Sequence, residues 1–374
     1  MRLSILVISR TPSLLSSLLA SLAGATDLPG LEVEILCSWN GSKESETEID
    51  NRSGYELLIA QREPYHFARN MNGLALKANG ELLLLINDDV ELDKGSIDTA
   101  IRCLIEHSDA GLIGGRLRDA KGKLIHAGIL FDSHHSPYHQ LDRQIAAEHH
   151  AVMGYPSIVP AVTGALMLMK REHFKSLKFQ TAYKVCGEDI ELCLDLRQTF
   201  KLTIWYCPDF SGRHDSESTR SQTTDQQGNS EDLTRMRQRR REFLDVASKT
   251  QLEEELAASI TEAEALRSLE THRQNEGREI SELLSNLKKQ KSDLEKQKSK
   301  LEKQKSKLEL TDYPDHPLSK KITRMKKESQ HWQRELQHWR QQSHSLQLTR
   351  LRLEKELQEA LKKSESTSKS FEAN

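Results

Sequence analysis

The sequence predicts an α/β protein in which a domain with a mostly parallel central sheet is followed by a long α-helical coiled-coil region. In the first part of the chain, short apolar runs typical of buried strands alternate with helical patterns. Such alternation indicates a largely parallel sheet with right-handed crossovers. After about Glu242 the apolar residues instead recur every seven positions, which is the repeat of a coiled coil.

The individual elements are predicted from apolar runs of strand length and from apolar residues at helical spacing. Pro12 opens the first helix, because proline is well tolerated in a first helical turn. Strands are predicted at Leu3–Ile8, Glu32–Cys37, Tyr55–Ala60, Leu82–Ile86, Leu124–Phe131, Val159–Met169 and Leu202–Tyr206. Helices are predicted at Pro12–Leu22, Phe67–Ala78, Gly95–His107 and Glu188–Thr199.

Composition divides the 374 residues into parts of different character. Runs of Val, Ile and Leu mixed with Gly and Pro give way to Lys, Glu, Gln, Leu and Ser with almost no Gly. The first part can bury a core, and the second cannot unless its helices pair. We predict a domain at 1–245, a helical coiled-coil segment at 246–311, a proline-containing break at 312–318, a second coiled-coil helix at 319–363 and a disordered tail at 364–374.

Two heptad stripes mark the C-terminal region. The first consists of Ile280, Leu287, Leu294, Leu301 and Leu308. Its partner positions are Lys or Gln, so this seam is weak, and a single long charged helix is the alternative. The second and stronger stripe consists of Met325, Trp332, Trp339, Leu346, Leu353 and Ala360. We expect a homo-oligomer, a parallel dimer or trimer through Trp332 and Trp339, or the docking of a partner there.

Charge and cysteine usage limit the partners and the compartment. The formal net charge is −2, so no global field recruits nucleic acid, and we expect no nucleic-acid partner. The five cysteines form no CxxC pair, which favours reduced core residues in a cytoplasmic protein. No apolar run approaches the ~20 residues of a membrane span. Peripheral attachment at the inner face of the membrane stays open, and the strand–helix start argues against a cleaved signal peptide.

The triplet Asn87-Asp88-Asp89 is the most informative motif, because it directly follows the apolar run that ends at Ile86. Open α/β sheets bind their ligands at the carboxyl ends of the strands. Two adjacent carboxylates there can hold a divalent cation against a diphosphate. Ordinary turn chemistry after a strand is the alternative for the isolated triplet.

The order of motifs resembles glycosyltransferase family 2, with its inverting, Rossmann-like type-A glycosyltransferase fold, and in particular the bacterial members that build O-antigen-like or rhamnose-containing glycans. The likeness covers about residues 3–220. The blocks that carry it are Tyr65–Gly73, Asn87–Leu92, Lys123–Gly128, Val162–Leu168 and Gly187–Arg197.

The resemblance implies a metal-dependent single displacement with Mn²⁺ or Mg²⁺. It favours Asp89 for the metal, with Asp88 beside it near the donor ribose or the metal's waters. It places the catalytic base at Asp189, with Glu188 in a supporting role, at the start of a helix whose dipole favours the ionised form. The alternative is that both acids merely cap this helix.

The resemblance also suggests donor-binding residues. Ser9 and Arg10 lie at the end of the first strand, Asn40 follows the second, and Arg69 matches a base- or diphosphate-facing arginine. Trp39 stands where the family usually has an acid; an indole could stack on the base but cannot accept its imino proton, so UDP-, dTDP- and GDP-sugars all stay open. Gly164 is expected to allow close backbone approach to the donor sugar or acceptor.

His214 matches a family histidine that completes the metal site, although one additional residue intervenes in the family's usual spacing. An exposed loop histidine is the alternative. A second group of histidines lacks regular ligand spacing and falls in what the family uses as a variable acceptor-facing loop, so we expect no metal there. This group consists of His134, His135, His139, His149 and His150.

These observations predict a transferase that moves a hexosyl or deoxyhexosyl group from a nucleoside diphosphate to a glycan or lipid-linked acceptor in cell-surface polysaccharide synthesis. The alternative from a different class is a coiled-coil scaffold with a degenerate transferase domain. Trp39 and the shifted spacing at His214 motivate it. A nucleotidyltransferase is disfavoured, because no Gly-rich loop ending in Arg or Lys follows the first strand.

Overall fold

The computed structural model describes residues 2–214, 230–309, 321 and 323–345. The chain forms two compact units, Met1–Leu266 and Arg267–Asn374. The first unit contains all of the strands that the structure describes. The strands are β1 Leu3–Ser9, β2 Val33–Trp39, β3 Glu56–Gln61, β4 Leu82–Asn87, β5 Val90–Leu92, β6 Ala110–Arg118, β7 Leu124–His126, β8 Ile129–Phe131, β9 Pro137–His139, β10 Ser157–Ile158, β11 Leu166–Lys170 and β12 Thr203–His214.

Helices cover the central sheet and extend from it. They are α1 Pro12–Ala25, α2 Phe67–Lys77, α3 Ser96–Glu106, α4 Arg171–Leu177, α5 Glu188–Phe200, α6 Ser230–Val246 and α7 Lys249–Glu309. None of the described helices is both long and apolar enough to cross a membrane.

The sheet has the order β10-β12-β6-β11-β4-β1-β2-β3. Strands β4, β1, β2 and β3 run parallel, and so do β6 and β12. Strand β11 joins the two parallel parts by pairing antiparallel to β4 on one side and to β6 on the other. The prediction of an α/β fold with a mostly parallel sheet and a long C-terminal helix is confirmed.

The apolar runs explain the centre of this sheet. Every residue of β1 is buried, as are the first five residues of β4, because helices and loops cover both faces of these strands. Helix α1 turns Leu15, Leu18 and Leu22 into the core at helical spacing, beneath the strands that carry the site. The sheet therefore fixes the carboxyl ends of β1 and β4 side by side.

Three predicted strands differ from the structure. Leu124–Phe131 is interrupted at Gly128, whose φ of 113° is incompatible with continuous strand pairing for most residues. Within Val159–Met169, only the part from Leu166 onward joins a strand that continues to Lys170, and the preceding residues form loops. The last strand does not end at Tyr206, because after a register shift it continues along β6 and then pairs with β5.

The first unit extends past the predicted domain end at residue 245. Helix α6 and the first turns of α7 pack on the α/β domain, where Glu255 forms ion pairs with Arg197 and Arg240. The carbonyl oxygen of Arg197 also accepts a hydrogen bond from the Gln251 side chain at 2.9 Å. The segment boundaries given in the sequence analysis stay predictions.

The second unit contains the rest of α7 and a helix at residues 323–345. Leu287 and Leu294 from the first heptad stripe line a cavity of about 330 Å³ together with Leu336 and Trp339 from the second helix. The two stripes therefore meet within one chain. Trp332 remains 42% exposed, and the predicted oligomer stays a prediction. The break at 312–318, the heptad positions Leu346, Leu353 and Ala360, and the tail at 364–374 lie outside the described residues.

Candidate active site

A cavity of about 340 Å³ opens at the carboxyl ends of β1 and β4. Acidic or imidazole side chains reach it from several segments, among them the turn after β4, the start of α5 and the end of β12. Asp89 and Asp189, which are far apart in the sequence, both line this cavity. Asp88, Glu188 and His214 line it as well.

Asp89 and His214 form a close pair. Asp89 Oδ1 lies 3.1 Å from His214 Nε2, and both side chains are largely buried. The sheet fixes this approach, because His214 pairs with Val90 in the register of β12 and β5. His214 thus lies in a strand and is largely buried, unlike the exposed loop histidine considered as the alternative. Residues 215–218, which follow His214 and carry the changed spacing, lie outside the described residues.

The donor set of this pair fits a divalent cation. A carboxylate oxygen and an imidazole nitrogen suit Mn²⁺ in particular, and carboxylate oxygens also suit Mg²⁺. Among the described residues, no group of three His, Cys, Asp or Glu side chains is arranged to hold a metal by itself. A cation at Asp89 and His214 would therefore require further ligands from a bound molecule or from water.

Asp88 lies next to this pair and is held by a hydrogen bond from the end of β1. Ser9 donates its hydroxyl hydrogen to Asp88 Oδ2 at 2.6 Å. Burial raises the pKa of Asp88 to about 6, while the bond from Ser9 lowers it and the neighbouring charge of Asp89 raises it further. The resulting site concentrates negative charge, which a cation would relieve.

Asp189 is oriented by two backbone donors. The N–H of Gly164 donates to Asp189 Oδ2 and the N–H of Ile190 donates to Oδ1, both at 2.8 Å. A side chain at position 164 would crowd this arrangement, because a Cβ there would lie 3.2 Å from the Phe67 ring and 3.3 Å from the Cβ of Asp189. These bonds favour the ionised carboxylate and hold it at the cavity wall.

The loop before α5 is held by Asp232 of helix α6. Its buried carboxylate accepts N–H hydrogen bonds from Lys184 at 3.1 Å, Val185 at 2.8 Å and Cys186 at 3.3 Å. Asp232 was not identified from the sequence. The run of charged residues around it gives no signal that this one is buried.

Four of the predicted donor-binding residues do not line the cavity themselves. Ser9 lies beneath the cavity, and the Asn40 side chain donates to the carbonyl of Glu63. Arg10 and Arg69 are exposed and do not line the cavity.

Trp39 does not line the cavity. It is 1% exposed, lies in the hydrophobic core and donates its indole N–H to the carbonyl of Ser42 at 2.8 Å. A Cβ on Gly41 would lie only 2.6 Å from the indole, so backbone covers the ring. The expectation that this ring stacks on a nucleobase is therefore corrected.

Several cavity residues were missed. His126, His139, Asp142 and Arg143 line the cavity, and so does Tyr65. His126 lies in one of the motif blocks, which was the available signal. His139 belongs to the histidine group assigned to an acceptor-facing loop, and the other four members of that group do not line the cavity.

Comparisons with known proteins agree with these observations. A family profile described as "Glycosyltransferase like family 2" matches residues 2–243. The O-antigen biosynthesis protein RfbC of Myxococcus xanthus is 28% identical over 192 residues, which are 50% of this chain and 15% of that protein. The uncharacterized protein y4gI of Sinorhizobium fredii is 25% identical over 183 residues, 46% of this chain and 20% of that protein. The matches thus span a fifth or less of these relatives.

Solved structures with a similar chain path include TarS of S. aureus in complex with UDP-GlcNAc. It has a TM-score of 0.49 and 15% identity, and the match covers 68% of this chain and 69% of that one. The mannosyltransferase PcManGT of Pyrobaculum calidifontis, in complex with GDP-Man and Mn²⁺, has a TM-score of 0.44 and 14% identity, with 71% and 75% covered.

Proposed function

Because the chain belongs to the glycosyltransferase-like family 2, we propose that it is a metal-dependent inverting glycosyltransferase that moves a sugar from a nucleoside diphosphate to a hydroxyl of a glycan or lipid-linked acceptor. The observation that carries this proposal is the convergence of Asp89 and Asp189 on one cavity. The name of the Myxococcus relative supports a role in cell-surface polysaccharide synthesis.

We assign the cation, Mn²⁺ or Mg²⁺, to Asp89 and His214. When bound, such a cation stabilises the negative charge that develops on a leaving diphosphate. Asp88 supports this site from the same turn, and Ser9 keeps its carboxylate in place. The exposed guanidinium groups of Arg10 and Arg69 are available to the phosphates beyond the cavity.

We assign the catalytic base to Asp189. The base removes the proton of the acceptor hydroxyl as its oxygen attacks the anomeric carbon on the face opposite the leaving diphosphate, so that a single displacement inverts that carbon. The N–H donors of Gly164 and Ile190 orient the carboxylate for this step. Glu188, also buried at the cavity, takes the supporting position.

We assign binding of the nucleobase to Asn40 and the loop after β2, because the indole of Trp39 is buried in the core. UDP-, dTDP- and GDP-sugars are therefore the donors to test. Gly164 lies in the cavity wall beside Asp189, and we assign its backbone to close contact with the donor sugar or the acceptor. We propose that the reaction takes place in the cytoplasm. Peripheral attachment of the protein to the inner face of the membrane is the alternative localisation to test.

The experiment is a panel of UDP-, dTDP- and GDP-sugars assayed for release of nucleoside diphosphate, with Mn²⁺, with Mg²⁺ and with EDTA. Asp189→Asn should lower turnover by about 10²- to 10⁴-fold, the usual contribution of a general base. Asp209→Asn, an exposed acid of β12 that does not line the cavity, is the control and should leave turnover unchanged. Absence of turnover with every donor would favour the scaffold alternative.

We further propose that the C-terminal helices mediate self-association or partner docking. Trp332 is the exposed aromatic residue to test, since Trp339 already lines a cavity within its own chain. Sedimentation equilibrium of the full chain should give an oligomer that Trp332→Gln weakens. A monomeric mass for the unaltered chain would rule out self-association.

A further inference from the structure

Glu262, on helix α7, reaches back to a wall of the cavity. Its Oε2 accepts the hydroxyl hydrogen of Tyr138 at 2.6 Å, and its Oε1 accepts the N–H of Leu141 at 3.1 Å. Only 7% of Glu262 is exposed. Both carboxylate oxygens are thus used on residues that flank His139, which itself lines the cavity.

The segment 138–143 does not hold its conformation by local preference. Leu141 and Arg143 have φ values of 54° and 55°, in the left-handed region. Each such residue costs on the order of 1 kcal/mol or more, so the surroundings must impose the conformation. The bonds that do so are Gln140 N–H to the Gly128 carbonyl at 3.0 Å, Arg143 N–H to the Leu124 carbonyl at 2.7 Å, and the two bonds to Glu262.

His139 meets a second imidazole in the cavity. Its Nδ1 lies 2.8 Å from the Nδ1 of His126. His126 Nε2 accepts the N–H of Thr163 at 3.4 Å, so His126 carries its hydrogen on Nδ1 and donates it to His139. Burial lowers the pKa of His126, and the electrostatic effects of His139 and His214 lower it further, so the ring stays neutral.

We propose that Glu262 is a positioning residue of the transferase site: it holds residues 138–141 so that His139 stays against His126 at the cavity wall, where this imidazole pair contacts the bound sugar. The identity of the ligand group rests on the proposed function. The placement of His139 by Glu262 does not, since it follows from the hydrogen bonds alone.

The test compares full-length Glu262→Ala and Glu262→Gln with Glu264→Ala, an exposed acid on the same helix. In Glu262→Ala, the Leu141 amide should exchange its hydrogen about 10- to 100-fold faster, as expected for loss of a bond to a charged group. The downfield Nδ1–H proton of His126, observed by NMR with ¹⁵N-labelled histidine, should broaden or disappear.

Glu262→Gln should keep both signals, because its amide oxygen still accepts from Leu141 and its NH₂ group can donate to Tyr138. Glu264→Ala should match the unaltered protein. Tyr138→Phe keeps the ring and removes one of the two anchors, so it should give an intermediate exchange rate even where Glu262→Ala fails to fold. Unchanged exchange and an unchanged His126 signal in Tyr138→Phe and Glu262→Ala would overturn the proposal.

Turnover completes the test. With the donor found by the panel, Glu262→Ala should lower kcat while the donor KM stays unchanged, and Glu262→Gln should restore kcat. Exchange and NMR are measured without substrate, so failure of the proposed function leaves them interpretable. Normal kcat in a Glu262→Ala protein whose His126 signal is lost would refute the role in the reaction.

Discussion

Glu255 is the carboxylate whose loss should destabilise the transferase domain most clearly. It lies between two buried guanidinium groups: Arg197 Nη1 is 2.5 Å from its Oε1, and Arg240 Nη1 is 2.8 Å from the same oxygen. Burial lowers the pKa of Arg240, and the hydrogen bond and charge of Glu255 only partly offset this effect. Replacing Glu255 by glutamine keeps the size and removes the charge that both arginines share.

The magnitude follows from what remains after the change. Breaking a buried ion pair by removing one partner costs about 3–5 kcal/mol. Glutamine still offers one oxygen, and Glu254 Oε2 lies 3.7 Å from Arg197, so Glu255→Gln should cost about 3 kcal/mol, the lower end of that range. Glu255→Ala, which also removes the hydrogen-bond acceptor, should cost about 5 kcal/mol.

Urea denaturation of the full chain, followed by tryptophan fluorescence, measures this difference. A loss of about 3 kcal/mol should move the midpoint by about 1 M or more, because m is about 1–3 kcal/mol/M. The matched control is Glu253→Gln on the same helix, whose partner Lys249 lies 3.5 Å away at an exposed i,i+4 position and should contribute about 0.5 kcal/mol or less. Equal midpoints for the two variants would refute the reasoning.

Three further predictions concern the site. Gly187→Ala should destabilise the protein by about 2–5 kcal/mol in thermal unfolding, because φ is 118° and the new Cβ would lie 2.7 Å from neighbouring side chains. The control is Gly122→Ala, at φ 75° in open space, which should show only the backbone cost of about 1 kcal/mol. Asp232→Asn should lower kcat by releasing the loop before α5, whereas the exposed Glu231→Gln should not. Asp89→Asn should weaken Mn²⁺ binding on the order of tenfold or more by electron paramagnetic resonance, and equal affinity would contradict the metal assignment.

Much of the fold was predictable because burial on both faces leaves a simple pattern. Strands β1 and β4 are almost wholly apolar, and parallel strands bring their carboxyl ends to one edge. The placement of Asp88 and Asp89 at this edge follows directly. That Asp189 reaches the same cavity came from the family resemblance, since spacing alone left open whether it only caps α5.

Trp39 shows where motif position misleads and strand periodicity would have served better. Residues at i and i+2 of a strand face the same side of the sheet. In β2, Val33, Ile35, Cys37 and Trp39 all lie in the core cluster, so alternation already predicts a buried indole. Aligning the position with a ligand-binding acid in the family gave the opposite expectation.

The first turns of α7 are the part that sequence periodicity could not have predicted, because their amphipathic pattern is inverted. Four residues at helical spacing face the domain and are buried or nearly so: Gln251, Glu255, Ala258 and Glu262. On other faces of the same turns, Leu252, Leu256 and Ile260 are 42%, 60% and 48% exposed. Orienting these turns by their apolar residues alone would therefore bring the wrong face of the helix to the domain.

The inversion has a physical cause in the partners that the domain provides. Arg197, Arg240 and the N–H of Leu141 are buried donors that need acceptors, and polar residues of α7 supply them. These donors lie far from α7 in sequence or on another helix, so no local pattern predicts which acids are buried. The same dependence links α7, which begins after the family match ends at residue 243, to the cavity wall of the transferase site.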